Sequence, residues 1–491
     1  MRVFNHVLVT VFLVTHTFAT NPALCQMALA KYMEKVRVVH RWDLGGEVVP
    51  GDLRNTLLRY DGRSSISAAY PSPIGKVVAT TTVGPIEQVE QVAASEDVSV
   101  FFAKSAREGQ AHFVVKHFHD CREKLKQSVS VSAVVPKTFF AKLLRGKSVK
   151  LADSGEVPLV KEYALSAALA TMGIPIPKMR FISRLTPLTA SAQWDFDWPD
   201  RALCDDCVKA GAVVRTLVEN RAGPTMTAFF GEWRNTYRSV FEDGNLAAVS
   251  LDLIQDIIWA GFHTFNFLDQ MHAVGAFHGD IHGGNVAFAK PGGDLSMHVQ
   301  TGLATAKLVL IDLGEAGLIC GNQDDLKTPP DFALALLSPW QLEGMGIRGF
   351  RDDAYRVLEM MANWFSWGNW NKFGAIVRQR NPENARAALH TMKLNLPLFG
   401  SDWEFAQDDG FYECFGIFES VVDSKVLGYL RRELGCVLGH VRSLDENTTP
   451  VDFKLVTKTL TGVLNKLGDY ASGVSDASVF ELSSSSCVIT E

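Results

Sequence analysis

The chain has 491 residues, 47% of them hydrophobic and 21% charged, and a formal net charge of −6. That length and apolar content suit one large or two medium globular domains with a substantial core. The acidic balance argues against a nucleic-acid-binding protein, whose footprint is a strongly basic face, without excluding a local basic patch.

Residues 1–19 have the layout of a signal peptide. Arg2 gives the positive end, Val7 to Val14 ("VLVTVFLV") the apolar run, and Thr17 to Ala19 small residues at each end of a cleavage site. The run is too short to span a bilayer; a short membrane anchor is the alternative. No other uncharged apolar stretch is long enough to cross a membrane, so no transmembrane segment is expected after signal removal, and peripheral membrane contact stays open.

Residues 20–69 read as an N-terminal helical extension, with "PALCQMALAKYMEKVRVV" as its helix. Val77 to Val83 is β-branched and predicts a strand. "VSVFFAK" and "AHFVVKHF" predict two more, with "SAREGQ" as the turn, so residues 70–120 read as an antiparallel sheet. After a mixed segment, "KEYALSAALATM" predicts a helix stopped by Gly173 and Pro175. "AVVRTLVEN" predicts another strand. From Leu251 the pattern is helical: "LDLIQDIIWAGFHTFNFLDQMH" and "DDAYRVLEMMANWF" space apolar residues over several turns. Ser472 to Glu491 is Ser-rich and reads as a disordered tail. A strand-rich part followed by a helical part implies two lobes, an α+β class.

Entry to the secretory route would permit disulfides. There are eight cysteines, and "CDDC", Cys204 to Cys207, is the only close pair. A lone CxxC is a weak zinc signal, so a local disulfide or free thiols are expected there. "NTT" at Asn447 is a glycosylation sequon followed closely by Pro450.

The chemistry concentrates in "AFHGDIHGGNVAF", Ala276 to Phe288, and "LVLIDLGEAG" downstream. Phosphoryl transfer needs a metal on the phosphate oxygens, a cation on the non-transferred phosphates and a carboxylate at the attacking hydroxyl. Protein kinases supply these from H-R-D-x-x-x-x-N, a D-F-G Asp, a strand Lys and a helix Glu. The chain resembles that family from about residue 70 to 471, with an N-lobe of about 70–220 and a C-lobe of about 221–471 in a bilobal protein kinase-like fold. His278, Asp280 and Asn285 match the catalytic loop, and "IDLG" puts Asp312 and Gly314 at D-F-G. "FVVK" puts Lys116 at the strand Lys. Glu162 matches the helix Glu, with Glu156 as competitor. "TLVEN" resembles the hinge, with Glu219 on it; "TPPD", Thr328 to Asp331, resembles A-P-E; Asp353 resembles the helix Asp that holds the catalytic loop.

The resemblance implies ATP and Mg2+ as cofactors. Asp280 would be catalytic, Asn285 and Asp312 metal ligands, and Lys116, Glu162, Glu219 and His282 part of the nucleotide site. Four departures matter. Gly75 and Gly84 are too far apart for a glycine-rich loop. Gly279 replaces the Arg that would pair with a phosphorylated activation segment. His282 stands where Ser/Thr kinases have Lys, and H-G-D-x-H-x-x-N is nearer to small-molecule phosphotransferases of the aminoglycoside and choline kinase type. The spacings from Lys116 to Glu162 and from Asp280 to Asp312 imply insertions, the second an enlarged hairpin, "AKPGGDLSMHVQTGLATAK".

A secreted kinase without that loop resembles the rhoptry-type kinases exported by apicomplexan parasites, in the branch lacking the glycine loop, which holds both active kinases and pseudokinases. This implies release into the vacuole around a parasite, with secreted or vacuolar proteins as substrates, phosphorylated on Ser/Thr. A pseudokinase scaffold and a small-molecule phosphotransferase remain the alternatives.

Overall fold

Seven strands of the first half of the chain form one antiparallel sheet in this computed structural model. The described residues are 21–43, 77–81, 84–94, 98–105, 112–121, 157–183, 185–188, 201–237, 247–291, 294–321, 326, 334, 337–344, 348–366, 369–380, 383–394, 396, 418 and 421–481. The signal-peptide segment, residues 44–69, Gly75, most of the "SAREGQ" turn and "TPPD" lie outside them.

The strands are β1 (Val77–Thr81), β2 (Gly84–Ala94), β3 (Val98–Ser105), β4 (Phe113–His119), β5 (Met179–Ile182), β6 (Thr186–Pro187) and β7 (Val213–Asn220). Their order is β1-β2-β3-β4-β7-β5, with β6 also on β7. β3 alternates buried and half-buried positions, the period of a sheet with two unlike faces. β4 lies between β3 and β7 and is almost wholly buried, which its Phe-Val-Val opening suits. β2 escapes the sequence reading because two register shifts, between Gln88 and Glu90 and between Gln91 and Ala93, break its alternation.

Helix α1 (Pro22–Asp43) places Val36 and Val39 in a core with Leu159, Val160 and Tyr163 of α2 (Val157–Thr171) and with Phe118 and Leu217 of the sheet. At its end Asp43 Oδ2 accepts the Arg215 Nη2–H at 2.6 Å, and Asp43 Oδ1 accepts the Leu185 N–H at 3.0 Å. The helical stretch read as a separate extension therefore belongs, from Ala28 onward, to the strand-rich unit, Ala28–Ala222 with Asp312–Glu315.

The second unit comprises the remainder of the chain and is mainly helical. Its long helix α5 (Ala247–Ala273) follows α3 (Arg201–Lys209, in the first unit) and α4 (Met226–Thr236). Two short antiparallel pairs follow: β8 (Ala276–Phe277) with β11 (Gly317–Leu318), and β9 (Val286–Phe288) with β10 (Leu308–Leu310). The enlarged hairpin between β9 and β10 holds a short helix, α6 (Leu295–Thr301). Then come α7 (Pro339–Glu343), α8 (Phe350–Phe365), α9 (Asn369–Arg380), α10 (Ala385–Leu394), α11 (Ser424–Ser443) and α12 (Phe453–Ala471). α8 is buried on almost every side, so it serves as the helical unit's central post.

Two expectations are corrected. Cys207 does not pair with Cys204: it is buried among Cys121, Leu188 and Ala212 and forms a disulfide with Cys121. Position on α3 decides this, because the helix turns Cys207 into that apolar cluster. Cys25 pairs with Cys320, and Cys436 is disulfide-bonded as well. The tail is ordered at least to Glu481: a 3-10 turn at Ala477–Phe480 buries Phe480 against Tyr429 and Tyr470. A strand-rich unit that carries the strand Lys and the helix Glu, and a mainly helical unit, give the chain the expected α+β class.

Candidate active site

In the strand-rich unit, the β4 register sets Lys116 opposite Leu217 of β7. Glu219, two residues along β7, therefore shares its face, since side chains alternate with a period of two. Lys116 Nζ lies 2.5 Å from Glu162 Oε1, 3.3 Å from Asp312 Oδ1 and 3.7 Å from Glu219 Oε1. Lys116, Glu162 and Glu219 are buried, whereas the Asp312 side chain is 53% exposed. Glu162 sits on the sixth residue of α2 rather than at its start.

One ammonium thus faces three carboxylates. Burial works against the Lys116 charge, but Glu162, Asp312 and Glu219 outweigh it and hold its pKa well above the ordinary value. Burial pushes Glu162 up to about 8, and the nearby Asp312 and Glu219 add to this while Lys116 opposes. Glu219 is raised for the same reasons, burial first. Asp312 has φ of 62°, the only non-glycine residue with positive φ among the described residues. Left-handed backbone costs most side chains about 1–2 kcal/mol, and Asp is among those that tolerate it. Strain of this kind concentrates at functional turns.

In the helical unit, β8 runs into the loop His278–Asn285. Asp353, on the first turn of α8, holds its start. Its Oδ2 accepts the His278 N–H at 2.6 Å and its Oδ1 the Gly279 N–H at 2.8 Å, and His272 Nε2 lies 3.2 Å from Oδ2. His278 is buried, with Nε2 3.0 Å from the Ile311 carbonyl and Nδ1 accepting the Asp280 N–H at 3.3 Å. His278 therefore braces the loop. Gly279 has φ of +77°, so the residue that replaces Arg also sits in a backbone region that favours glycine.

Asp280 is the chemical centre of the loop. Asn285 Nδ2 donates to its Oδ2 at 3.2 Å and to its carbonyl at 2.9 Å. His282 Nε2 lies 3.6 Å from Oδ2. Oδ1 is buried and has no hydrogen-bond partner among the described residues. Burial pushes the carboxyl up, but the attraction of His282 first, and then of His278 and Arg356, outweighs it and holds the pKa below the ordinary value. The result is an ionised acid with one oxygen held and the other buried without a partner among the described residues.

Mg2+ takes hard oxygen ligands and binds through one or two carboxylates together with substrate phosphates. The half-exposed Asp312 carboxylate and the Asn285 amide oxygen are donors of that kind. Among the described residues no group of three or more His, Cys, Asp or Glu could hold a metal by itself.

Sequence reasoning placed Lys116, Glu162 and Asp312 in one site, and they lie together in one unit; Asp280, His282 and Asn285 lie together in the other. It placed Glu219 on a hinge, whereas the side chain joins the Lys116 cluster. It missed His272 as a partner of Asp353, although a His near the end of α5 is a visible signal.

No protein-family model matches the chain, and no curated protein matches it. Among solved structures it is similar to the BubR1 kinase domain, with a TM-score of 0.44 and 10% identity over 94% of this chain and 98% of that one. It is also similar to vaccinia related kinase 3, with a TM-score of 0.40 and 13% identity over 83% of this chain and 95% of that one.

Proposed function

We propose that the protein is a secreted, Mg-ATP-dependent protein kinase that phosphorylates Ser/Thr hydroxyls of secreted or vacuolar proteins. The observation that carries this reading is Asp280: ionised, held through one oxygen, and presenting a buried second oxygen with no partner among the described residues. A scaffold has no chemical need for such a group.

Asp280 Oδ1 accepts the proton of the substrate hydroxyl as the hydroxyl oxygen bonds to the γ-phosphorus of ATP and the bond from that phosphorus to the β,γ-bridging oxygen breaks, releasing ADP. Asp353 keeps the loop from moving during the transfer. Lys116 binds the non-transferred phosphates, and Glu162 orients it. Asn285 and Asp312 would hold Mg2+, which when bound neutralises charge on the phosphate oxygens. The disulfides Cys25–Cys320 and Cys121–Cys207 suit an oxidising compartment and so support secretion. No helix among the described residues is long and apolar enough to cross a membrane.

One observation favours a pseudokinase instead. Lys116 is already surrounded by three carboxylates, which leaves it little freedom to meet a phosphate. Labelled ATP with a dephosphorylated casein acceptor separates the readings. Phosphotransfer should appear with wild type and fall by about 10²- to 10⁴-fold in Asp280→Ala. ATP binding without any Asp280-dependent transfer would establish the scaffold.

A further inference from the structure

His282 is tied to its own loop through one ring nitrogen and aimed at Asp280 through the other. Nδ1 accepts the Gly284 N–H at 3.0 Å. A neutral imidazole that accepts on Nδ1 carries its proton on Nε2. Nε2 is the atom 3.6 Å from Asp280 Oδ2. Gly284 makes this possible: a Cβ there would come within 2.7 Å of His282 Cε1 and 2.9 Å of Nδ1, so a larger residue would push the ring away. His282 is 41% exposed, so it is not held there by core packing.

We infer that His282 is a positioning residue for Asp280. Its Nε2–H and the Asn285 amide share Oδ2, which turns Oδ1 toward the substrate hydroxyl. The separation of 3.6 Å is beyond a direct hydrogen bond. Catalytic contacts of this length tighten when the reacting groups are in place. The Lys of Ser/Thr kinases at this position brings a flexible ammonium, whereas His282 brings a planar ring whose Nε2 is aimed by the contact of Nδ1 with the Gly284 N–H. Its task is then to hold the base, not to bind phosphate. The inference rests on the reading of Asp280 as the proton acceptor.

The test uses the full chain with ATP, Mg2+ and casein, comparing His282→Ala with His282→Gln. The Gln amide can place an N–H near the position of Nε2. His282→Ala should lower kcat by on the order of 10-fold, as when a group that orients a reacting group is lost, with KM for ATP little changed. His282→Gln should recover most of that loss. A raised KM for ATP at unchanged kcat would make His282 a phosphate contact and overturn the inference. So would a Gln variant no better than Ala. The geometry has a readout that needs no turnover. In chain labelled with nitrogen-15 histidine, the His282 signals, identified by their absence in His282→Gln, should report the Nε2–H tautomer and shift in Asp280→Ala. An Nδ1–H tautomer, or no shift, overturns the inference. Silence of the wild type in the casein assay would instead overturn the kinase reading.

Discussion

The cluster around Lys116 and the loop around Asp280 hold their acids by different means. Near Lys116, three carboxylates crowd one ammonium, two of them buried, and their ionisation is contested. In the loop, Asp353 accepts two backbone N–H groups and contacts His272, and Asp280 is ionised with one oxygen in use. The first is a balance of charges, which pH, salt and a bound cation can tip. The second is a set of directional bonds, which holds or breaks as a unit. Buried pairs gain from Coulomb attraction but pay desolvation, while a carboxylate that satisfies backbone donors has no cheap substitute.

Removing the loop's anchor should produce the largest effect. Asp353 is 1% exposed, and Asp353→Ala strands the His278 and Gly279 N–H groups. A loss of about 3–5 kcal/mol in denaturant unfolding is expected, with phosphotransfer abolished. An unfolding midpoint close to wild type would show that the loop is anchored elsewhere.

The disulfides Cys25–Cys320, in the helical unit, and Cys121–Cys207, in the strand-rich unit, sharpen the comparison. Replacing either pair by Ser should cost about 2–4 kcal/mol in thermal or chemical unfolding. Only loss of Cys25–Cys320 should also slow turnover. Cys320 lies just past β11, which pairs with β8, and β8 runs into His278; the Ile319 N–H also bonds the Gly275 carbonyl at 2.9 Å. Equal slowing by loss of Cys121–Cys207 would remove that distinction.

A smaller effect should follow from pH in the metal-free chain. The Glu162 pKa is raised from 4.5 to about 8, so the folded state binds its proton more tightly than the unfolded state. The associated stability is complete below about pH 4.5 and is lost as pH rises through about 8. Melting temperature should decline across that window. Glu219→Gln, by removing one repelling charge, should shrink the decline by about 1 kcal/mol. Parallel melting curves for the two proteins would show that Glu219 does not couple to Glu162.

The smallest expected effect is none. Phosphatase treatment should leave phosphotransfer unchanged, because Gly279 has no guanidinium to pair with a phosphate. A large loss of rate, restored by rephosphorylating Thr328, would contradict this.

These contrasts also mark what the sequence could show. Lys116, Glu162, Asp280, Asn285 and Asp353 were legible through the resemblance of their order and spacing to the protein-kinase pattern. The side chain of Glu219 was not, although the period of two along β7 puts it beside Lys116. Its family-based reading as a hinge residue drew attention to the strand's end instead of its face. Cys207 looked paired with its neighbour because sequence distance is visible and helix orientation is not. The Asp43–Arg215 contact, and with it the docking of α1, depends on tertiary proximity across a long sequence separation. Bulges concealed β2 by interrupting its period.

The Cys25–Cys320 bond spans 295 residues, and Cys121–Cys207 spans 86. At synthesis rates of about 5–20 residues per second, Cys25 waits roughly 15–60 s for its partner to emerge. Cys121 and Cys207 both appear within that interval, so the sheet's bond can close while the Cys25 thiol is still unpaired. Cys121 is then the first foreign thiol that Cys25 meets, and early closure onto Cys207 removes it. The order in which the ribosome delivers these cysteines thus favours the native pairing, and slowing oxidation until the chain is complete should raise the yield of the Cys25–Cys121 isomer.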